Sequence, residues 1–212
     1  MREAVVFVHG IWMKGWEMSV LRRRMAALGY DCYQFSYSSI FARSADNAAR
    51  LNAFIKEKVE ADVVHVVAHS LGGIVVSHLL DAFPLQKPGR IVFIGSPLKG
   101  SVVARRLSSH VLTRGFLGLS GVRGLLGNVP RLKSQREVGM IAGTRGIGVG
   151  SFVMLGQLAK PSDGTVVVTE TDVTALRAHL QVPFSHFGML FAKPVAQAVG
   201  SFLRQGRFDG LA

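Results

Sequence analysis

Short unbroken apolar runs alternate along this chain with longer stretches whose apolar residues recur every three or four positions. Ala4-Val5-Val6-Phe7-Val8 is the first run, and it ends at His9-Gly10. Apolar residues at both odd and even positions fit a strand buried on both faces of a parallel sheet. Residues 18–28 then read as a helix, with Arg22, Arg23 and Arg24 outward and Gly29 as its stop. Residues 31–37 form the second predicted strand. Residues 44–59 form an amphipathic helix with Ala48, Leu51, Ile55 and Val59 on one stripe. The third strand spans 63–68, and a helix over 71–82 follows, ended by Phe83-Pro84. A fourth strand covers 90–94, a fifth 137–143, and a short sixth lies near 179–184, before a helix over 188–203. Strands alternating with helices predict one α/β domain, residues 1–212, with about six mostly parallel strands and helices on both faces.

One segment breaks this rhythm. Gly115, Gly118, Gly121, Gly124 and Gly127 recur every third residue with Phe116, Leu117, Leu119, Val122, Leu125 and Leu126 between them. Each glycine weakens a helix by about 1 kcal/mol relative to alanine. The stretch reads as a weak helix or a mobile apolar loop; residues 101–128 are a candidate apolar flap, with a loose surface loop over buried leucines as the alternative.

Composition narrows the class. Apolar residues make up 49% of the 212, so the chain can bury a core. No apolar stretch is long enough to span a bilayer, and the N-terminus lacks a signal-peptide succession; the expected location is cytoplasmic. The single cysteine, Cys32, reads as a small core residue and provides no disulfide or Cys-rich metal site. Lys and Arg outnumber Asp and Glu by 25 to 13, a formal charge of +12. Such a surface would attract anionic lipid or nucleic acid. Nucleic-acid motifs are absent and the aromatics do not interleave with the basic clusters, so no nucleic-acid partner is expected.

The candidate chemistry starts at Ala68-His69-Ser70-Leu71-Gly72-Gly73, directly after the third strand. A strand ending in small–His–Ser–x–Gly and opening into a helix is the sequence form of a nucleophile elbow, which lifts a serine hydroxyl above the sheet's end. A neutral serine needs a base within hydrogen-bond reach, and the base needs an orienting carboxylate. His186, in the loop after the last strand, is the first candidate base; His179 and His110 are alternatives, and His78 reads as packing. Asp163, in Ser162-Asp163-Gly164-Thr165, is the first candidate acid, with Asp172 and Glu170 as rivals. The backbone N–H groups of Leu71 and Ile11 are candidate oxyanion donors, the first at a helix N-terminus and the second after the first strand. Trp12, Met13 and Trp16 could line an apolar substrate pocket.

Five ordered pieces carry a resemblance: Phe7-Val8-His9-Gly10, Ala68 to Gly73, Gly95-Ser96-Pro97-Leu98-Lys99-Gly100-Ser101, Asp163-Gly164-Thr165-Val166, and Ser185-His186-Phe187-Gly188-Met189-Leu190. Together they resemble the serine α/β-hydrolase superfamily, and within it the small bacterial lipases and related lipase-like (PGAP1-like) hydrolases. The resemblance implies a reduced α/β-hydrolase fold, a Ser70–His186–Asp163 triad, and hydrolysis of carboxylic esters or lipids without metal or organic cofactor. A thioesterase or acyltransferase with the same triad is an alternative. So is an inactive hydrolase fold that binds anionic membrane surfaces.

Overall fold

The computed structural model describes residues 1–109, 113, 117–119, 124–127 and 129–209. Six strands form one sheet: β1 (Glu3–Val8), β2 (Asp31–Phe35), β3 (Val63–His69), β4 (Ile91–Ile94), β5 (Val138–Gly143) and β6 (Ala178–Val182). Their order is β2-β1-β3-β4-β5-β6, and every pairing is parallel. Alternation along β1 explains the apolar run. Ala4, Val6 and Val8 enter the core on one face, and Val5 and Phe7 the core on the other.

Helices cover both faces. α1 (Ser19–Ala26) lies on the side of Val5 and Phe7, where Leu21 and Met25 join that core. α2 (Ser44–Lys58) and α3 (Leu71–Ala82) cover the other side through Leu51, Ile55, Val75 and Leu79. Shorter helices follow, among them α4 (Val102–Ser108), α5 (Val149–Val153) and α6 (Val168–Thr171). At four to seven residues they hold too few turns to leave an apolar period in the sequence.

The helix expected over 188–203 is two helices, α7 (Gly188–Phe191) and α8 (Lys193–Gln205). Ala192 is extended between them, and Pro194 sits in the first turn of α8, where its missing N–H costs nothing. α8 packs Val195, Val199 and Phe202 beside α1. No helix among the described residues is long and apolar enough to cross a membrane.

The connection from β1 runs to β2 on one side, and the chain then returns to place β3 on the other. Loops leaving β1 and β3 therefore diverge at their carboxyl ends and leave a crevice there, the usual place for a ligand in an open parallel sheet. His9–Met13 leave β1 at this point, and Ser70 directly follows β3.

Candidate active site

Ser70 stands at the turn between β3 and α3 with φ 53° and ψ −122°, a conformation that L-residues avoid. Such a backbone costs on the order of 1–3 kcal/mol and persists only where the surroundings impose it. Two features impose it here. The Ser70 N–H donates to the Ile94 carbonyl of β4 at 2.9 Å. Gly72 lets α3 close against β1: a Cβ there would lie 2.4 Å from the Val8 carbonyl oxygen.

The β1 loop is fixed beside the serine. A Cβ on Gly10 would stand 3.2 Å from the Ser70 Cβ. His9 is buried and stacks on Tyr37 with ring centroids 4.2 Å apart. The Tyr37 N–H donates to His9 Nε2 at 3.2 Å, so the proton lies on Nδ1, which donates to the Gly10 carbonyl at 2.9 Å. The Tyr37 hydroxyl donates to the His9 carbonyl at 2.7 Å. Burial holds the His9 imidazole below its ordinary pKa, consistent with this neutral form. Trp12 follows at φ 60°, and its N–H donates to Ser39 Oγ at 3.0 Å.

The acid and base come from loops after β5 and β6. His186 Nδ1 and Asp163 Oδ2 are 2.6 Å apart, and both side chains are almost fully buried. A carboxylate only accepts, so Nδ1 carries the proton and Nε2 is left with its lone pair. Asp163 Oδ1 accepts from the N–H groups of Thr165 at 2.9 Å and Val166 at 2.7 Å. The His186 N–H donates to the Asp163 carbonyl at 2.9 Å, tying the two loops together by backbone as well.

Two supports of this pair left no recognisable mark in the sequence. Gly95, at φ +57°, lies under it: a Cβ there would come within 3.1 Å of both Asp163 Oδ2 and His186 Cε1. His69, wholly buried before the serine, directs Nε2 to the His186 carbonyl at 3.3 Å. A carbonyl accepts, so this nitrogen bears the proton. Burial, followed by the neighbouring His186, pushes the His69 imidazole well below its ordinary pKa.

Two of the rival candidates, Glu170 and His179, are engaged elsewhere. Glu170 accepts from the N–H groups of Val102 at 2.6 Å and Val167 at 3.0 Å, joining α4 to α6. His179 Nε2 donates to Thr171 Oγ1 at 2.8 Å, because that hydroxyl already donates to the Val168 carbonyl. His110 lies outside the described residues. The Cys32 thiol is pushed up to about 11, chiefly by burial, which keeps it unreactive.

Ser70 and His186 border one cavity of about 110 Å³. Ile11, Trp12 and Met13 of the β1 loop line it, with Val103, Ala104 and Leu107 of α4. Leu117 and Leu125 line it too, from the segment expected to be a flap. Trp16 is not among the lining residues. Gly15, at φ 97°, turns the chain into a 3-10 turn (Trp16–Met18) that sends Met18 into the core and leaves Trp16 82% exposed. The Leu71 amide is the first of α3, where an N–H has no partner within the helix.

Residues 5–201 match the model of the alpha/beta hydrolase family. The chain belongs to that family. Solved structures repeat the alpha/beta hydrolase fold over nearly the whole chain. The mature lipase BlEst2 of Bacillus licheniformis has a TM-score of 0.72 at 17% identity, covering 98% of this chain and 93% of that one. The metagenomic carboxyl esterase MGS0156 has 0.65 at 18%, covering 87% and 64%. Phospholipase PlaB of Legionella pneumophila, in complex with thio-NAD, has 0.74 at 14%, covering 93% and 56%. At these identities the likeness is one of fold. No curated protein sequence matches the chain.

Proposed function

We propose that this alpha/beta hydrolase is a carboxylic ester hydrolase, an esterase or lipase, working through an acyl-serine intermediate. The observation that carries the proposal is the buried 2.6 Å pair of His186 and Asp163, with His186 and the strained Ser70 on one apolar cavity. Ser70 Oγ attacks the ester carbonyl carbon while His186 Nε2 takes the hydroxyl proton. Asp163 holds the imidazole tautomer and stabilises the imidazolium that forms. The N–H groups of Leu71 and Ile11 receive the oxyanion, an interaction whose loss typically costs about 100- to 1000-fold in turnover. Collapse of the tetrahedral species breaks the bond to the leaving oxygen, which receives the proton from His186. Water, deprotonated by His186, then attacks the acyl-serine, and the proton returns to Ser70 Oγ as the acid leaves.

The substrate in this reading is an ester or lipid whose acyl part is apolar, since the cavity walls are leucine, valine, tryptophan and methionine. The flap in this reading is residues 101–128, of which α4, Leu117 and Leu125 line the cavity and much of the remainder lies outside the described residues. The same triad would serve a thioesterase or acyltransferase. Parallel assays on p-nitrophenyl esters of increasing chain length and on acyl-CoA separate these. Ester turnover lost in Ser70→Ala supports the proposal; turnover of acyl-CoA alone, or of neither class, contradicts it.

A further inference from the structure

The cavity opens onto an apolar rim. Trp12, Val149 and Phe187 line the cavity and are each about half exposed, so they mark its mouth. Further exposed apolar side chains follow each of them along the chain. Trp16 follows Trp12 by four residues, and Phe191 follows Phe187 by four. Phe152 on α5 and Leu155 just beyond it are 82% and 79% exposed. Exposed aromatic and aliphatic side chains around and next to a cavity mouth mark a surface that has something to meet.

Charge is distributed along the same axis. The loops at the carboxyl ends of the strands carry Lys14, Arg43, Lys99, Arg105, Arg106 and Arg145, all exposed. Of the acids in the same connections, Asp163 holds His186, Glu17 accepts from the Gly15 N–H at 3.1 Å, and Asp46 is exposed in the first turn of α2, so cations outnumber acids there. At the far end of the sheet acids and cations are paired instead, Asp31 with Arg2 and Glu137 with Arg90 and Arg177. The molecule therefore presents an apolar, aromatic rim with a cationic surround at its cavity end. Tryptophan and phenylalanine beside lysine and arginine is the combination that settles at the headgroup level of a bilayer. The counter-charge it fits is an anionic lipid surface.

We propose that this face docks on an anionic phospholipid bilayer, with the mouth turned to the lipid. The aromatic rim enters the interface, the cations lie against the headgroups, and an acyl chain passes from the membrane into the cavity. The last step rests on the ester-hydrolase reading; the docking does not.

The test is vesicle co-sedimentation of full-length Ser70→Ala protein, which binds without turnover. Vesicles of phosphatidylcholine with one-third phosphatidylglycerol are compared with phosphatidylcholine alone. The expected result is about tenfold tighter binding to the anionic vesicles, weakened by salt, with a blue shift of tryptophan emission. Phe152→Asp with Leu155→Asp should weaken binding by about tenfold while hydrolysis of a soluble short-chain ester by the Ser70-containing form stays within twofold. Leu85→Asp is the control, because Leu85 is 92% exposed and precedes β4 at the far end of the sheet. Absence of binding, equal binding to both vesicles, or an equal loss in Leu85→Asp would overturn the docking. So would a dimer in lipid-free solution that Phe152→Asp dissolves, since the rim would then belong to a second copy of the chain. Vesicle binding without ester turnover in the unmutated protein would leave the docking standing and remove the hydrolase reading.

Discussion

Replacing Asp163 by Asn isolates what the carboxylate does. Its Oδ1 accepts two backbone N–H groups, from Thr165 and Val166, and its Oδ2 accepts from His186 Nδ1 at 2.6 Å. An asparagine in the same place must keep its oxygen toward the two amides, because an NH₂ there would face donors. The NH₂ group then faces His186, and Nδ1 can meet it only as an acceptor. The imidazole proton moves to Nε2, the nitrogen that must take the Ser70 proton. The volume is unchanged and two of the three hydrogen bonds survive, so the fold should hold, with stability altered by about 1 kcal/mol and a thermal midpoint moved by about 2–4 °C. Turnover should fall far more. Wrong-tautomer substitutions of this type cost roughly ten-thousand-fold, about 5.5 kcal/mol of transition-state stabilisation. The assay is kcat/KM on p-nitrophenyl butyrate, with the thermal midpoint measured on the same preparation. A loss of less than about tenfold in a folded Asp163→Asn protein would refute the tautomer argument.

Gly95→Ala should lower the thermal midpoint by about 2–12 °C, since it forces an L-residue to φ +57°. It should also depress turnover by displacing the His186–Asp163 pair; kinetics and melting together check both. Ser70→Gly should abolish turnover yet raise stability by about 1 kcal/mol, because glycine relieves the positive φ; an unchanged or lower denaturant midpoint contradicts this. Burial holds His9, His65 and His69 below the ordinary histidine pKa. The unfolded chain then binds more protons than the folded one below about pH 6.5, so stability should fall as pH drops from there and stay level above it. Thermal midpoints at neutral pH and at about pH 5.5 test the sign; a higher midpoint in acid is the wrong sign. Ala104→Leu adds an isopropyl group to the wall of the 110 Å³ cavity, so hexanoate esters should lose more turnover than acetate esters.

The core of the fold was legible because its strands are buried on both faces. That condition writes apolar runs such as Ala4 to Val8 and Val63 to Ala68, the second interrupted only by His65. α3 was legible from both ends, since Ser70 opens it and Phe83-Pro84 closes it. Other features depend on contacts between distant residues. The break at Ala192 follows from Pro194 settling into a first turn, whereas apolar periodicity runs through it. Gly95 appears in sequence as a strand terminator; only the fold brings Asp163 and His186 above it. Trp16 shares its residue type and neighbourhood with Trp12, yet the Gly15 turn separates them, one to the cavity and one to solvent. His69 reads as part of an elbow motif, while its bond to the His186 carbonyl spans 117 residues.

The most direct measurement of the central claim is covalent. The unmutated protein is treated with a fluorophosphonate, and the modified residue is read by tandem mass spectrometry, then again in His186→Ala. The account predicts a single adduct on Ser70, formed far more slowly or not at all without the imidazole. An adduct on another residue, or equal labelling of Ser70 in both proteins, would contradict it.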